Sequence, residues 1–189
     1  MEEITELIHR IQHGDMDGFK TLYSRYANRI LNFIYRLTGK REDAEDITQD
    51  VFLIVFNRLQ ELKEADRFDS WLYRIARNEV YQRLRKRKGS ELSIHDEDSG
   101  VGHQLIAESV ESDPLVTVLQ TELGSEIQKV LHSLPFKMKE VFILSVIEQR
   151  SYEEITNIVG RSLLSVKTDI HRARVLAREK LKKYIEKKM

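Results

Sequence analysis

The sequence predicts an all-α protein made of two small helical domains joined by a flexible acidic linker. Apolar residues recur at the three- and four-residue spacing of amphipathic helices over most of the chain. Charge is divided along the sequence: residues 1–88 carry 17 Lys and Arg against 15 Asp and Glu, whereas residues 89–128 carry 9 acidic residues and no Lys or Arg. Residues 129–189 carry 14 basic and 7 acidic residues. The formal net charge of +0 therefore hides two basic ends and an acidic connector, a pattern typical of polyanion binding.

Composition excludes several classes of protein. The 189 residues include no cysteine, so neither a disulfide framework nor a thiolate metal site can form, which fits a reducing cytoplasm. No apolar run approaches the roughly 20 residues of a membrane span. The acidic, amphipathic N-terminus is unlike a secretory signal. We expect a cytoplasmic protein without membrane insertion and without a cofactor.

The first domain is predicted to occupy residues 1–88 and to contain four helices. The apolar periods place helices at residues 4–12, at about 19–37, at 41–59 and at 68–88. Asp15 or Asp17 can cap the second helix, and Thr38-Gly39 ends it. A polar connector, Gln60 to Asp69, precedes the fourth helix.

The third helix carries an acidic face near its N-terminus, formed by Asp43, Asp46, Gln49 and Asp50. These side chains are explained either by solvation at the positive end of a helix dipole or by docking of a basic partner. A carboxylate metal site is rejected, because bundle di-metal sites need Glu-x-x-His from two helices and this chain has one such match, from Glu6 to His9. His9 and His13 have the spacing of a ligand pair but no third ligand in view.

The fourth helix has an apolar stripe and a second face that suits single-stranded nucleic acid. Guanidinium groups can bind phosphates, an amide can bind a base edge and an aromatic ring can stack on a base. The alternative is a solvated basic face. The residues of this second face are Arg74, Asn78, Tyr81 and Arg85.

A Gly-, Ser- and acid-rich segment at residues 89–114 is predicted to be a flexible tether or a featureless spacer, and the second domain is predicted at residues 115–189. Ser151-Tyr-Glu-Glu154 is a capping box, and Gly160 stands where a helix would end. A short helix, a tight turn and a long basic helix from Leu163 form a helix-turn-helix, which also occurs outside DNA-binding proteins, although the basic charge favours DNA. The start of the long helix exposes candidate DNA-reading residues: Ser165, Lys167, Thr168, His171 and Arg172.

Three stretches, in order and spacing, resemble the extracytoplasmic-function (ECF) sigma factors of bacterial RNA polymerase. The first runs from Asp43 to Phe52 and the second from Phe68 to Asn78. The third begins at Leu134-Pro135 and continues through the capping box to Ser165-Val-Lys-Thr168 and His171-Arg-Ala-Arg174. Together they cover nearly all the chain outside the linker.

The resemblance implies roles that spacing alone does not. The first domain would be sigma region 2, whose acidic helix docks on a coiled coil of the polymerase β′ subunit through Asp43, Asp46, Gln49 and Asp50. The connector at residues 60–69 and the fourth helix would capture the melted −10 element, with a flipped base held in a pocket. The second domain would be sigma region 4, which reads the −35 duplex and contacts the polymerase β flap. The implied −10 residues are Trp71, Arg74, Arg77, Asn78, Tyr81 and Arg85.

Two departures from the family pattern affect −35 recognition. Asp169 stands where the family usually has a basic residue, so we expect it to lower duplex affinity, to orient Arg172 or to accept a hydrogen bond from a cytosine amine. The segment from Ser162 to Ser165 lacks the common Pro/Val-Gly-Thr entry to the recognition helix. Both leave the −35 preference open.

The sequence therefore predicts a non-enzymatic initiation factor with core RNA polymerase, promoter DNA and an anti-sigma factor as partners. A second hypothesis is that the acidic linker masks the basic faces. One rival is a helix-turn-helix regulator that acts without polymerase docking. Another is a metal-dependent hydrolase using Glu42, Asp43, Glu45 and Asp46, which is disfavoured because these acids crowd one helical turn.

Overall fold

The computed structural model describes residues 3–90 and 122–188, and it confirms the all-α fold in both parts. Residues 91–114 of the linker predicted at 89–114, and residues 115–121 at the predicted start of the second domain, lie outside the described residues. The fourth helix ends at Ser90, two residues beyond the predicted boundary. The helices are α1 (Ile4–Gln12), α2 (Met16–Thr38), α3 (Arg41–Arg58), α4 (Phe68–Ser90), α5 (Glu122–His132), α6 (Phe136–Phe142), α7 (Tyr152–Val159) and α8 (Leu163–Lys188).

The first domain is a bundle in which α2 packs on both α3 and α4. Asp15 caps α2, since its carboxylate accepts a hydrogen bond from the Gly18 amide at 3.0 Å, and α2 therefore begins three residues before the predicted start. Gly39 ends the helix with a left-handed φ of 75°. The interior includes fully buried residues from all three helices, among them Leu22, Phe33, Val51, Phe68, Leu72 and Tyr73.

The second domain contains α5 to α8 and presents the predicted helix-turn-helix at α7 and α8. Ser151 Oγ accepts a hydrogen bond from the Glu154 amide at 3.2 Å, and the Glu154 carboxylate accepts one from the Ser151 amide at 2.8 Å. Partial burial opposes the charge of Glu154, but these hydrogen bonds and Arg150 hold its pKa below the ordinary value. Gly160 then turns the chain with a φ of 67°, so the helix-turn-helix prediction is confirmed in this structure.

The segment after Pro135 is not one regular α-helix. Helix α6 ends at Phe142, and a π-helical turn follows it directly over Ile143–Ile147. Ile143 and Leu144 are buried, and the turn ends one residue before Glu148. The wider turn therefore keeps Ile143 and Leu144 in the core and places the Glu148 carboxylate at the edge of the domain.

The two domains pack against each other, with α4 against α7 and α2 against α5 and α6. The Gln128 side-chain amide donates to the Tyr35 carbonyl at 3.0 Å, and Lys139 Nζ donates to the Leu37 carbonyl at 3.2 Å. Both acceptors belong to the last turn of α2, where helix ends leave carbonyls available to outside donors, and the Tyr35 carbonyl also accepts from the Gly39 amide at 2.7 Å. Burial lowers the pKa of Lys139. No pattern in the sequence predicts this association.

Candidate nucleic-acid and polymerase interface

Helix α4 exposes the face that the sequence predicts for single-stranded DNA. Arg74, Asn78, Tyr81 and Arg85 are exposed, while Leu72 and other residues of the apolar stripe are buried in the bundle. Because three of the exposed side chains are a cation, an amide and an aromatic ring, the face offers phosphate binding, base-edge binding and stacking together.

A pocket of about 400 Å³ opens where the polar connector meets the start of α4. Trp71 and Arg74 line it from α4, and Lys63 lines it from the connector. Its volume lies in the range of roughly 300–1,000 Å³ that small-molecule pockets have, which is enough for one flipped base. Asn157 of the second domain also lines the pocket, so α7 stands at its rim.

Two of the predicted −10 residues contact the second domain. Arg77 Nε donates to the carboxylate of Glu140 at 2.8 Å, and that carboxylate is fully buried. The Tyr81 ring lies 6.0 Å from the Phe136 ring, measured between centroids. Arg77 therefore lies in the domain interface, whereas Tyr81 lies at its edge and stays 52% exposed.

The start of α8 carries the five predicted −35 residues in two different settings. Lys167, His171 and Arg172 are exposed on the surface of the helix. Ser165 and Thr168 are half-buried: Ser165 accepts a hydrogen bond from Arg161 at 2.9 Å, and Thr168 donates to the Leu164 carbonyl at 2.8 Å. The structure therefore presents three of the five side chains outward.

Asp169 lies among these residues, directly after Thr168, and it binds Arg161, not Arg172. The same guanidinium also contacts the buried Glu140, 3.4 Å away. The carboxylate that departs from the family pattern is therefore occupied within the second domain.

The four predicted docking residues on the acidic face of α3 also differ in their exposure. Asp46 and Asp50 are exposed and Gln49 is half-buried, so these three remain open to a partner. Asp43 is 7% exposed and bonds to Arg87 at 2.6 Å. The predicted docking role of Asp43 therefore has little exposed surface to support it.

Comparison with known proteins identifies the fold and its family. Residues 22–90 match Sigma-70 region 2, and residues 125–176 match Sigma-70, region 4. The chain is 31% identical to the ECF RNA polymerase sigma factor SigW of Bacillus subtilis, over 95% of this chain and 97% of that protein. The chain belongs to the ECF sigma factors.

Other relatives of this ECF sigma factor agree. The ECF RNA polymerase sigma-E factor of Haemophilus influenzae is 30% identical over 95% of this chain and 97% of its own length. The sigma factor RpoE of Bartonella quintana, solved in complex with the anti-sigma factor NepR, is 25% identical with a TM-score of 0.68, over 87% of this chain and 96% of that chain. CnrH, solved with the cytosolic domain of CnrY, has a TM-score of 0.69 at 21% identity over 95% of this chain and 97% of that chain, and shares the fold.

Two apolar residues on α3 extend the exposed acidic face of the sigma factor and were missed from the sequence. Leu53 is 61% exposed and Phe56 is 46% exposed. Leu53 follows Gln49 by four residues and Asp50 by three, so the apolar and acidic side chains share one surface. The sequence carried a signal for this exposure, because both residues fall outside the apolar stripe of α3 that packs in the bundle.

Two further observations on the described residues of the sigma factor concern membrane-spanning helices and metal-binding clusters. None of the helices within residues 3–90 and 122–188 combines the length and apolarity that crossing a membrane requires. Across the same ranges, no three His, Cys, Asp or Glu side chains are grouped so that they could hold a metal ion.

Proposed function

We propose that this ECF sigma factor binds core RNA polymerase, recognises the −10 and −35 promoter elements, melts the −10 region and directs transcription initiation. The observation that carries the proposal is the exposed face of α4 beside a base-sized pocket, in one chain with a helix-turn-helix. The proposed role is binding and not catalysis, and it is exercised in the cytoplasm because promoter DNA and polymerase are there.

Polymerase docking is assigned to the exposed side chains of α3. Asp46, Gln49 and Asp50 supply negative and polar groups for a basic coiled coil, and Leu53 and Phe56 supply apolar area at the same place. An interface of charged rim and apolar centre is the common arrangement in protein complexes. The second domain is assigned the contact with the β flap, in keeping with region 4.

Capture of the −10 strand is assigned to α4 and the pocket. Arg74 and Asn78 approach the phosphates and base edges, and Trp71 forms the wall against which a flipped base stacks. Flipping costs a few kcal/mol of unstacking, which a fitted pocket and stacking return. Arg85 continues the strand path on the exposed face, and Arg77 and Tyr81 complete it once the helix is free of the second domain.

Recognition of the −35 duplex is assigned to the start of α8, where Lys167, His171 and Arg172 project together. The N-terminal residues of a recognition helix contact base edges in the major groove. Ser165 and Thr168 join this surface as contacts to the phosphate backbone.

We also propose regulation by an anti-sigma factor. The relative from Bartonella quintana was solved as an anti-sigma complex, and this chain shares its fold at 25% identity. Co-purification of this protein with a cytosolic anti-sigma segment would support the assignment.

The decisive experiment is transcription by core polymerase with and without this protein on fragmented genomic DNA, with mapping of the transcript starts. We expect starts that depend on the protein and share two upstream elements. A helix-turn-helix regulator would bind duplex DNA equally without polymerase and would create no new starts with the core enzyme, so that result would overturn the proposal.

A further inference from the structure

A larger pocket, of about 830 Å³, opens beside the end of α2, between the later turns of α4 and the start of α6. Its volume lies in the range of roughly 300–1,000 Å³ that small-molecule sites have, and such sites are lined mainly by apolar side chains with a few polar groups. This pocket shares no lining residue with the pocket at Trp71 and Arg74. The apolar residues that line it include Leu37, Leu84, Phe136 and Met138.

A buried ammonium group also lines this pocket. Lys139 is 7% exposed, and its Nζ donates to the Leu37 carbonyl at 3.2 Å. An ammonium has three N–H donors, so the others are left without an acceptor among the residues that the structure describes. No carboxylate within residues 3–90 and 122–188 pairs with Lys139, and burial lowers its pKa. A buried charge without a counter-ion is unfavourable, and a bound anion would remove that cost.

The other charged residues around the pocket are mainly basic. Arg85 of α4 and Lys137 of α6 line it, and both are exposed. Arg87 lines it as well but is already bonded to a carboxylate of α3. Asp169 is the one carboxylate among the lining residues that the structure describes, and it is already bonded to an arginine of the second domain. The pocket therefore presents cations that are available to a negatively charged ligand.

We propose that this pocket binds a small amphipathic anion, a carboxylate or phosphate on an apolar body, whose charged group reaches Lys139 and whose body packs on Leu84, Phe136 and Met138. The anionic group supplies the acceptors that the ammonium lacks, in charge-assisted hydrogen bonds. Burial of the apolar body contributes free energy in proportion to the area removed from water. The site goes beyond the proposed function, because it needs neither promoter DNA nor polymerase.

The pocket shares two residues, Tyr81 and Arg85, with the proposed −10 surface. A bound anion would occupy these two side chains and compete with single-stranded DNA for them. Transcription should therefore fall when the anion is added. This consequence, unlike the binding itself, rests on the proposed function.

The binding test uses the full chain, isotope-labelled at its methionine methyl groups and titrated with decanoate in an NMR experiment. We expect the Met138 methyl signal to shift saturably, while that of Met16, which is exposed on α2 and does not line the pocket, stays in place. Decanol has the same apolar body without the charge and should bind at least tenfold more weakly, since a hydrogen bond to a charged group contributes about 1.5–3 kcal/mol. Naphthoate and naphthamide repeat the comparison on an aromatic body, so the tighter of the two anions distinguishes an aliphatic ligand from an aromatic one.

Lys139→Met removes the ammonium and should lower the affinity for decanoate at least tenfold, to that of decanol, without changing decanol binding. Lys137→Met removes an exposed cation and should lower the affinity for decanoate about threefold. Lys20→Met removes an exposed cation of α2 that does not line the pocket, and it should change neither affinity.

An unmoved Met138 signal, or equal affinities of the wild-type protein for decanoate and decanol, would overturn the site. An affinity for decanoate that Lys139→Met leaves unchanged would do the same, and Lys137→Met takes its place in this comparison should Lys139→Met fail to fold. Transcription with core polymerase is measured with decanoate and with decanol as the control. A Met138 shift with undiminished transcription would overturn the competition with the strand. Absence of transcription without any ligand would refute the proposed function and leave the site, which is read from Met138, standing.

Discussion

Two arginines three positions apart on α4 have different surroundings. Arg74 is exposed and lines the pocket, whereas Arg77 is 20% exposed at its side chain and bonded to a buried carboxylate. The helical period puts both on the same broad face, but only Arg74 can meet DNA without a change in domain packing. A loss of transcription on substitution of Arg74 therefore reports on DNA contact alone.

We expect Arg74→Ala to lower the yield of run-off transcript about ten- to a hundredfold, since one side-chain contact with a base or strand contributes about 1–3 kcal/mol. The measurement is transcription from a mapped promoter with saturating core polymerase. Gln82→Ala, also exposed on α4, should leave the yield unchanged. Equal yields from Arg74→Ala and wild type would contradict the strand-binding role.

The charge of Asp169 is expected to weaken duplex binding, because it lies beside the phosphate-facing residues of α8 and occupies Arg161. Asp169→Asn should tighten binding to a −35 duplex severalfold. Release of Arg161 toward a phosphate should steepen the plot of log affinity against log salt concentration by about one unit. Fluorescence anisotropy at several salt concentrations measures both, with Glu179→Gln as the control on the same helix. Unchanged affinity and slope would mean that Asp169 is only a partner of Arg161.

At the scale of elements, the turn between α7 and α8 sets the direction of the recognition helix. Gly160 adopts a φ of 67°, and a Cβ added there would meet nothing within 4 Å. Substitution of Gly160 is therefore expected to strain the backbone without creating a steric clash.

We expect Gly160→Ala to reduce the free energy of unfolding by about 1–2 kcal/mol, the cost of a left-handed conformation for a residue with a Cβ. Denaturant unfolding monitored by circular dichroism measures this. Ser24→Ala, at an exposed helical position, is the matched control and should change stability by less than about 0.5 kcal/mol. If Gly160→Ala lowered the free energy of unfolding by no more than the Ser24→Ala control, that result would contradict the strained turn.

At the scale of the whole molecule, Glu148 joins helices that are far apart in sequence. Its partners Arg29 and Arg36 lie on α2, and Tyr73 lies on α4. The two domains should therefore unfold together in the wild-type protein.

We expect Glu148→Gln to cost about 3–5 kcal/mol, as for other buried ion pairs that lose one partner, and to divide one unfolding transition into two. Differential scanning calorimetry resolves the transitions. Asp17→Asn removes a carboxylate from a solvent-exposed pair with Lys20, whose side chains are 85% and 80% exposed, and should leave the transition midpoint unchanged. A single transition of unchanged midpoint in Glu148→Gln would show that Glu148 does not couple the domains.

The amino-acid sequence by itself determined the helices, the helix-turn-helix and the exposed residues on α4 and α8, because helical period, caps and turn glycines are local and act within a few residues. It also indicated the family, through motifs that each lie within one helix and its caps. Only the tertiary structure decided that Asp43 is buried and that Arg77 and Tyr81 contact the other domain. The physical reason is that burial and ion pairing depend on partners such as Glu140 and Glu148, which lie 63 and 75 positions from the α4 residues they bind.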